Sequence, residues 1–314
     1  MSVRPADPDS QPRASGATWA DRPERGSLLL ARVMTFVSLR LGRPVARAIV
    51  YFIAGYFFLC APSARRNSRM YLRRALGRDP SARDCFRHLY VFAVALLDRM
   101  YLLHGRFGLF TVTSEGVDEM QAAHERGCGA FLLGAHLGSF EFMSAVGRQR
   151  PGLRVAMAMY EGNARRQAAA IFRRADALSA PEIIPLGHVD AMLRIRDRLD
   201  GGTFVGMLAD RTIGETPAQV VSFLGAPALF PSGPMRAAAA MRRPVIFMTG
   251  LYRGGNRYHA VFHQIADFSQ PAPGGREAAV REGISRYVAL LETYCRSDPY
   301  NWFNFYDFWH GAPV

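Results

Sequence analysis

The sequence predicts an α/β fold: a single domain with a mostly parallel or mixed central sheet flanked by helices, preceded by an N-terminal membrane-associated helical segment. Three observations carry this. From about residue 108 onward, short apolar runs alternate with stretches of helical periodicity, the pattern of strands joined by helices. The run Gly129-Ala130-Phe131-Leu132-Leu133 reads as a buried strand feeding a glycine-containing turn and then a helix. The 314 residues, 49% of them apolar, are enough for one sizeable core.

The elements follow in order. Residues 1–26 are rich in Pro, Ser, Asp and Arg with no apolar h-region, and read as a flexible tail rather than a cleaved signal peptide. Residues 27–76 hold two apolar stretches (28–39 and 48–61) punctuated by Arg32, Arg40, Arg43 and Arg47, then Arg65, Arg66, Arg69, Arg73 and Arg74. The unbroken run 48–61 would be about 21 Å long as a helix, against roughly 30 Å of bilayer hydrocarbon. Tyr51, Phe52, Tyr56, Phe57 and Phe58 suit the headgroup boundary, and the arginines suit anionic lipid. The segment therefore reads as an interfacial or re-entrant anchor on the cytoplasmic leaflet. An ordinary core helix and a true span are the alternatives.

Residues 77–314 form the α/β domain. A helix is expected over 80–105, with Phe86, Leu89, Phe92, Ala93 and Leu96 at helical spacing. Strands are expected at 109–113, 130–133, 153–159, 183–185, 203–208, 220–223, 244–251 and 258–264. Helices are expected at 117–125, 140–148, 164–175, 189–200, 234–241 and 274–297, with Gly201-Gly202 ending the fourth of these.

The formal charge is +13 and the pI about 10.2, which points to an acidic partner or an anionic membrane surface. Every basic side chain other than histidine is arginine. That excludes a Walker A lysine, a Schiff-base lysine and a Ser–Lys dyad. Cys60, Cys85, Cys128 and Cys295 are widely spaced, without a CxxC pair, and suggest a reducing compartment rather than a disulfide framework or zinc ribbon.

Chemistry concentrates in Gly134-Ala135-His136-Leu137-Gly138-Ser139-Phe140-Glu141. On a regular helix, five residues rotate the chain by about 140°, so His136 and Glu141 would not share a face. They can meet if His136 lies in the turn and Gly138 lets the backbone fold sharply. Glu141 would then accept the imidazole N–H and leave the other ring nitrogen free to take a proton. The plainer alternative is a packed polar residue at a strand end. No G-x-S-x-G elbow makes Ser139 a nucleophile, and no G-x-G-x-x-G opens a helix. His259 and His263 lie four apart on an expected strand without an evident third ligand, so a solvated strand face is expected there and no metal.

A base without a nucleophile, a basic chain and an interfacial segment fit one reaction. His136 deprotonates an acceptor hydroxyl, which attacks a thioester carbonyl directly. Residues 134–141 resemble the H-x4-D/E box of the lysophospholipid acyltransferase superfamily, in the glutamate form of the bacterial lipid A late acyltransferases (lauroyl and myristoyl transferases). The resemblance covers about residues 19–309. It includes Asn163-Ala164-Arg165-Arg166, Gly206-Met207-Leu208-Ala209-Asp210-Arg211, residues 223–228 and Pro231-Ser232-Gly233-Pro234. Residues 299–309 and 19–27 are similar to those of a divergent predicted-acyltransferase branch. Lipid A enzymes usually end in a Trp-x-His-[KR]-[KR]-like segment that this chain lacks, which leaves a different hydroxylated lipid open as the acceptor.

The resemblance implies O-acyl transfer from an acyl-carrier-protein or acyl-CoA co-substrate to a membrane lipid, at the cytoplasmic face of the bacterial inner membrane, with no metal or redox cofactor. His136 would be the base and Glu141 its orienter. Amides around Gly138 and a nearby arginine are candidate oxyanion donors. Arg165 and Arg166 would hold acceptor phosphate or carrier phosphopantetheine, or else form a solvated helix face. Asp210 and Arg211 would line the pocket, or cap a strand–loop junction. Acidic carrier protein suits the basic balance. The aromatics from Trp302 to Trp309 read as a plug packed on the sheet, with the membrane interface as the alternative. A catalytically silent lipid- or carrier-binding module and a hydrolase using water as acceptor are the rival readings. A nucleic-acid partner is not expected, because no basic-aromatic reading motif is present.

Overall fold

The structure is a computed structural model that describes residues 28–150, 152–160, 182–188, 190–212, 216–270 and 274–310. Three helices come first: α1 (Leu28–Cys60), α2 (Pro62–Leu76) and α3 (Ala82–Leu103). α1 bends where Gly42 takes φ 80°, two residues ahead of Pro44, which lacks the N–H that would continue the ladder. The Ser81–Asp84 capping box starts α3.

The sheet follows, with β1 (Thr111–Glu115), α4 (Val117–Glu125), β2 (Phe131–Gly134), α5 (Phe140–Arg148), β3 (Val155–Tyr160), β4 (Glu182–Leu186), α6 (Ala191–Asp200) and β5 (Phe204–Leu208). The chain then runs through β6 (Ala218–Phe223), β7 (Ala226–Pro231), α7 (Gly233–Ala240), β8 (Pro244–Tyr252), β9 (Arg257–Asp267) and α8 (Arg276–Ser297). Seven strands form one sheet in the order β1-β9-β8-β2-β5-β3-β4. Every pairing is parallel except β8 with β9. The mixed, helix-flanked sheet expected from the sequence is present. The helix expected over 164–175 lies outside the described residues.

Alternation along the strands divides the core. Phe131 and Leu133 of β2 face a cluster built with α2, α6, α7 and α8, whereas Leu132 faces one built with α1, α3, α4 and α5. After β2 the chain leaves toward α5 on one face. After β5 it leaves through β6, β7 and α7 on the other. The carboxyl ends of these adjacent parallel strands are thus a topological switch point, where α/β sheets bind ligands.

One expectation fell short. A strand was expected only at 220–223, yet β6 and β7 form a hairpin closed by Leu224 and Gly225 at φ 51° and 78°. Leucine rarely takes positive φ. Here the Leu224 side chain is buried and its N–H reaches Glu292 at 2.7 Å. The C-terminal aromatics pack as a plug: Trp302 is fully buried against Tyr71, Phe223 and Phe308, and Trp309 donates its indole N–H to the Phe223 carbonyl.

Candidate active site

The β2–β5 register pairs Gly134 with Leu208. His136 and Asp210 each stand two residues beyond that pair, so the two turns bring them together. Asp210 Oδ1 lies 2.9 Å from His136 Nδ1, and Asp210 Oδ2 accepts the His136 backbone N–H at 3.0 Å and the Trp302 indole N–H at 3.2 Å. Asp210 is completely buried, whereas the His136 side chain keeps 30% of its surface exposed.

Burial alone would raise the Asp210 carboxyl. The charge and hydrogen bonds of His136, with Arg211 nearby, hold it down at about 2 instead. An ionised carboxylate can only accept, so in the neutral imidazole Nδ1 carries the proton and Nε2 presents the lone pair. Among the described residues Nε2 has no hydrogen-bond partner. A residue built this way can take a proton from a bound group.

The turn is held by three further contacts. Gly138, at φ 71°, packs so closely that an added Cβ would sit 2.3 Å from the Gly250 carbonyl oxygen. Its N–H goes to the Asn301 carbonyl at 2.8 Å, and the next N–H, that of Ser139, goes to Gly250 at 2.9 Å. The Phe303 N–H returns to the His136 carbonyl at 2.7 Å. Residues 301–303 therefore run antiparallel along the histidine turn as a strap. Asn301, itself buried, is fixed by paired hydrogen bonds to the Tyr252 backbone.

Two sequence-based expectations change as a result. Glu141 does not meet His136; its carboxylate pairs with Arg99 of α3 at 3.2 Å. The reason is topological. Ser139 caps α5 through a bond from the Phe142 N–H, and the helix that starts there packs on the α3 face of the sheet, which sets Glu141 beside Arg99. The amides of Gly138 and Ser139, expected as oxyanion donors, are committed to backbone carbonyls. Gly138 shapes the turn instead.

Arg211 donates to the Phe303 carbonyl at 3.1 Å and lies 5.1 Å from the Tyr306 ring centroid, so it braces the strap beside Asp210. Arg165 and Arg166 lie outside the described residues. An apolar pocket lined by Met120, Phe140, Met143, Met157, Met248 and Phe262 sits beneath α5.

Sequence reasoning placed Asp210 near the pocket but missed its contact with His136. Leu208-Ala209-Asp210 and Gly134-Ala135-His136 each place a polar side chain just past an apolar strand. That parallel was visible; that the two strands are neighbours was not. Trp302 and Arg99 carried no local signal. His259 and His263, expected on a solvated face, lie on a partly exposed one and straddle Glu115, at 3.2 and 3.4 Å from its two oxygens.

No curated protein sequence matches the chain closely enough to count as a relative. The model of one protein family, the bacterial lipid A biosynthesis acyltransferases, matches residues 21–310, and over that length the chain belongs to this family.

Proposed function

We propose that this protein transfers a fatty acyl chain from an acyl-carrier-protein thioester, or acyl-CoA, to a hydroxyl of a membrane lipid at the cytoplasmic face of the bacterial inner membrane. The family supports acyl transfer to a lipid. The observation that carries the catalytic reading is the buried Asp210 carboxylate on His136 Nδ1, with Nε2 open at the carboxyl ends of β2 and β5.

In this mechanism Nε2 accepts the acceptor hydroxyl proton as the oxygen attacks the thioester carbonyl. The tetrahedral intermediate collapses, the C–S bond breaks, and the leaving thiolate takes the proton back from Nε2. Asp210 keeps the imidazole in the required tautomer and stabilises the transient imidazolium, the role a buried carboxylate plays in hydrolase triads. Arg99, paired with Glu141 in the first turn of α5, is assigned in this proposal to the negative charge that builds on the carbonyl oxygen.

The reading is tested with the purified full chain, an acyl-carrier-protein thioester and a hydroxylated lipid. His136→Ala is expected to lower transfer by about 10²- to 10⁴-fold with folding unchanged by circular dichroism. Transfer at the wild-type rate would overturn the base assignment. Release of free fatty acid without acylated lipid would show a hydrolase instead. Lipid mass spectrometry of a deletion strain identifies the acceptor by the acylated species that disappears.

A further inference from the structure

The second half of α1 has two unlike faces. Toward the protein, Ala46, Val50 and Ala54 are buried. On the same side Arg43 makes a bidentate pair with the fully buried Asp98, both bonds 2.7 Å, and Arg47 donates to the Gly255 carbonyl at 3.0 Å in the β8–β9 turn. Away from the protein, Val45, Phe52, Tyr56, Phe57 and Leu59 are exposed, Phe52 by 76% and Leu59 by 71%. No charged residue interrupts that outward face from 44 to 60. Soluble proteins rarely keep an apolar face of such length in water.

α2 follows directly and supplies the complementary charge. Arg66, Arg69 and Arg73 are exposed at i, i+3 and i+7, in one row. Arg73 pairs with Asp79. Arg66 and Arg69 have no ion-pair partner among the described residues.

We infer that α1 lies flat on an anionic phospholipid bilayer, its outward aromatic face at the headgroup–acyl boundary and the α2 arginine row on the lipid phosphates, and does not cross the membrane. Residues Ser38–Cys60 are long and apolar enough to span by length and composition. Crossing, however, would strip Arg43 and Arg47 from their protein partners or carry Asp98 and the β8–β9 turn into hydrocarbon, where charged and unpaired polar groups are costly. Lying flat keeps every one of those bonds and covers only the face that lacks a protein partner. A second copy of the chain suits the face less well, because it would leave the adjoining arginines without the counter-charge that anionic lipid supplies. The inference rests on the membrane side of the reading above and not on its chemistry, and its tests read topology rather than turnover.

The full chain carrying an epitope tag at each end is probed with antibody in sealed spheroplasts and in inverted membrane vesicles. Both tags are expected to be hidden in spheroplasts and accessible in inverted vesicles. Tags on opposite sides would overturn the inference. In flotation with phosphatidylglycerol vesicles, Arg66→Gln and Arg69→Gln are each expected to weaken binding about 5-fold at low salt, with little change on phosphatidylcholine. Unchanged binding to the anionic vesicles, or a sedimenting dimer that ignores vesicles, would likewise overturn it.

Discussion

A fully buried carboxylate is costly unless donors satisfy it, and Asp210 has three: the His136 ring, the His136 backbone N–H and the Trp302 indole. Its carboxyl is held below the ordinary 3.8, at about 2. A depressed folded-state value contributes stability that is present above pH 4 and lost as the pH falls toward 2. Glu141 belongs to a separate pair. If it works through Arg99 rather than His136, Glu141→Gln and Arg99→Gln should each slow transfer by about tenfold, and the double variant should be no slower than either alone. Additive losses in steady-state kinetics would separate the two residues.

The strap and the first helices meet at one element-scale joint. His88 of α3 is fully buried, with Nδ1 2.9 Å from Ser68 Oγ of α2 and Nε2 2.8 Å from the Trp302 carbonyl. Burial pushes its imidazole down from 6.5 to about 4, against the pull of the Trp302 carbonyl. The folded state therefore binds fewer protons than the unfolded one between those values. His88 contributes fully above pH 6.5, and stability falls as the pH drops from 6.5 toward 4, by about 3 kcal/mol in total. Urea denaturation across this window should show that slope, and His88→Gln should flatten it. An equal slope in the variant would assign the effect elsewhere. Because His88 carries the strap carbonyl next to the residue that bonds His136, the same joint couples α2 and α3 to the catalytic turn.

At the scale of the molecule, the alternating apolar runs foretold the sheet and most of its helices, because hydrophobic periodicity is a local property. Strand neighbourhood is not. The sequence shows a histidine with a glutamate five residues on, while the β2–β5 register sets that histidine opposite a carboxylate 74 positions away. The second strand of the hairpin escaped notice for a related reason, since its turn opens with a leucine at positive φ ahead of Gly225, where asparagine or glycine is the usual signal. The arginines of α1 read as punctuation of an apolar segment, and only the fold reveals Asp98 as the partner of Arg43. The central claim is that His136 acts as a base because Asp210 fixes its tautomer. Its most direct test is the turnover of Asp210→Asn, which keeps the shape and removes the charge. Transfer is expected to fall by about 10²- to 10⁴-fold with KM near wild type and the fold retained by circular dichroism, a loss comparable to that of His136→Ala. Wild-type turnover in Asp210→Asn would contradict the account.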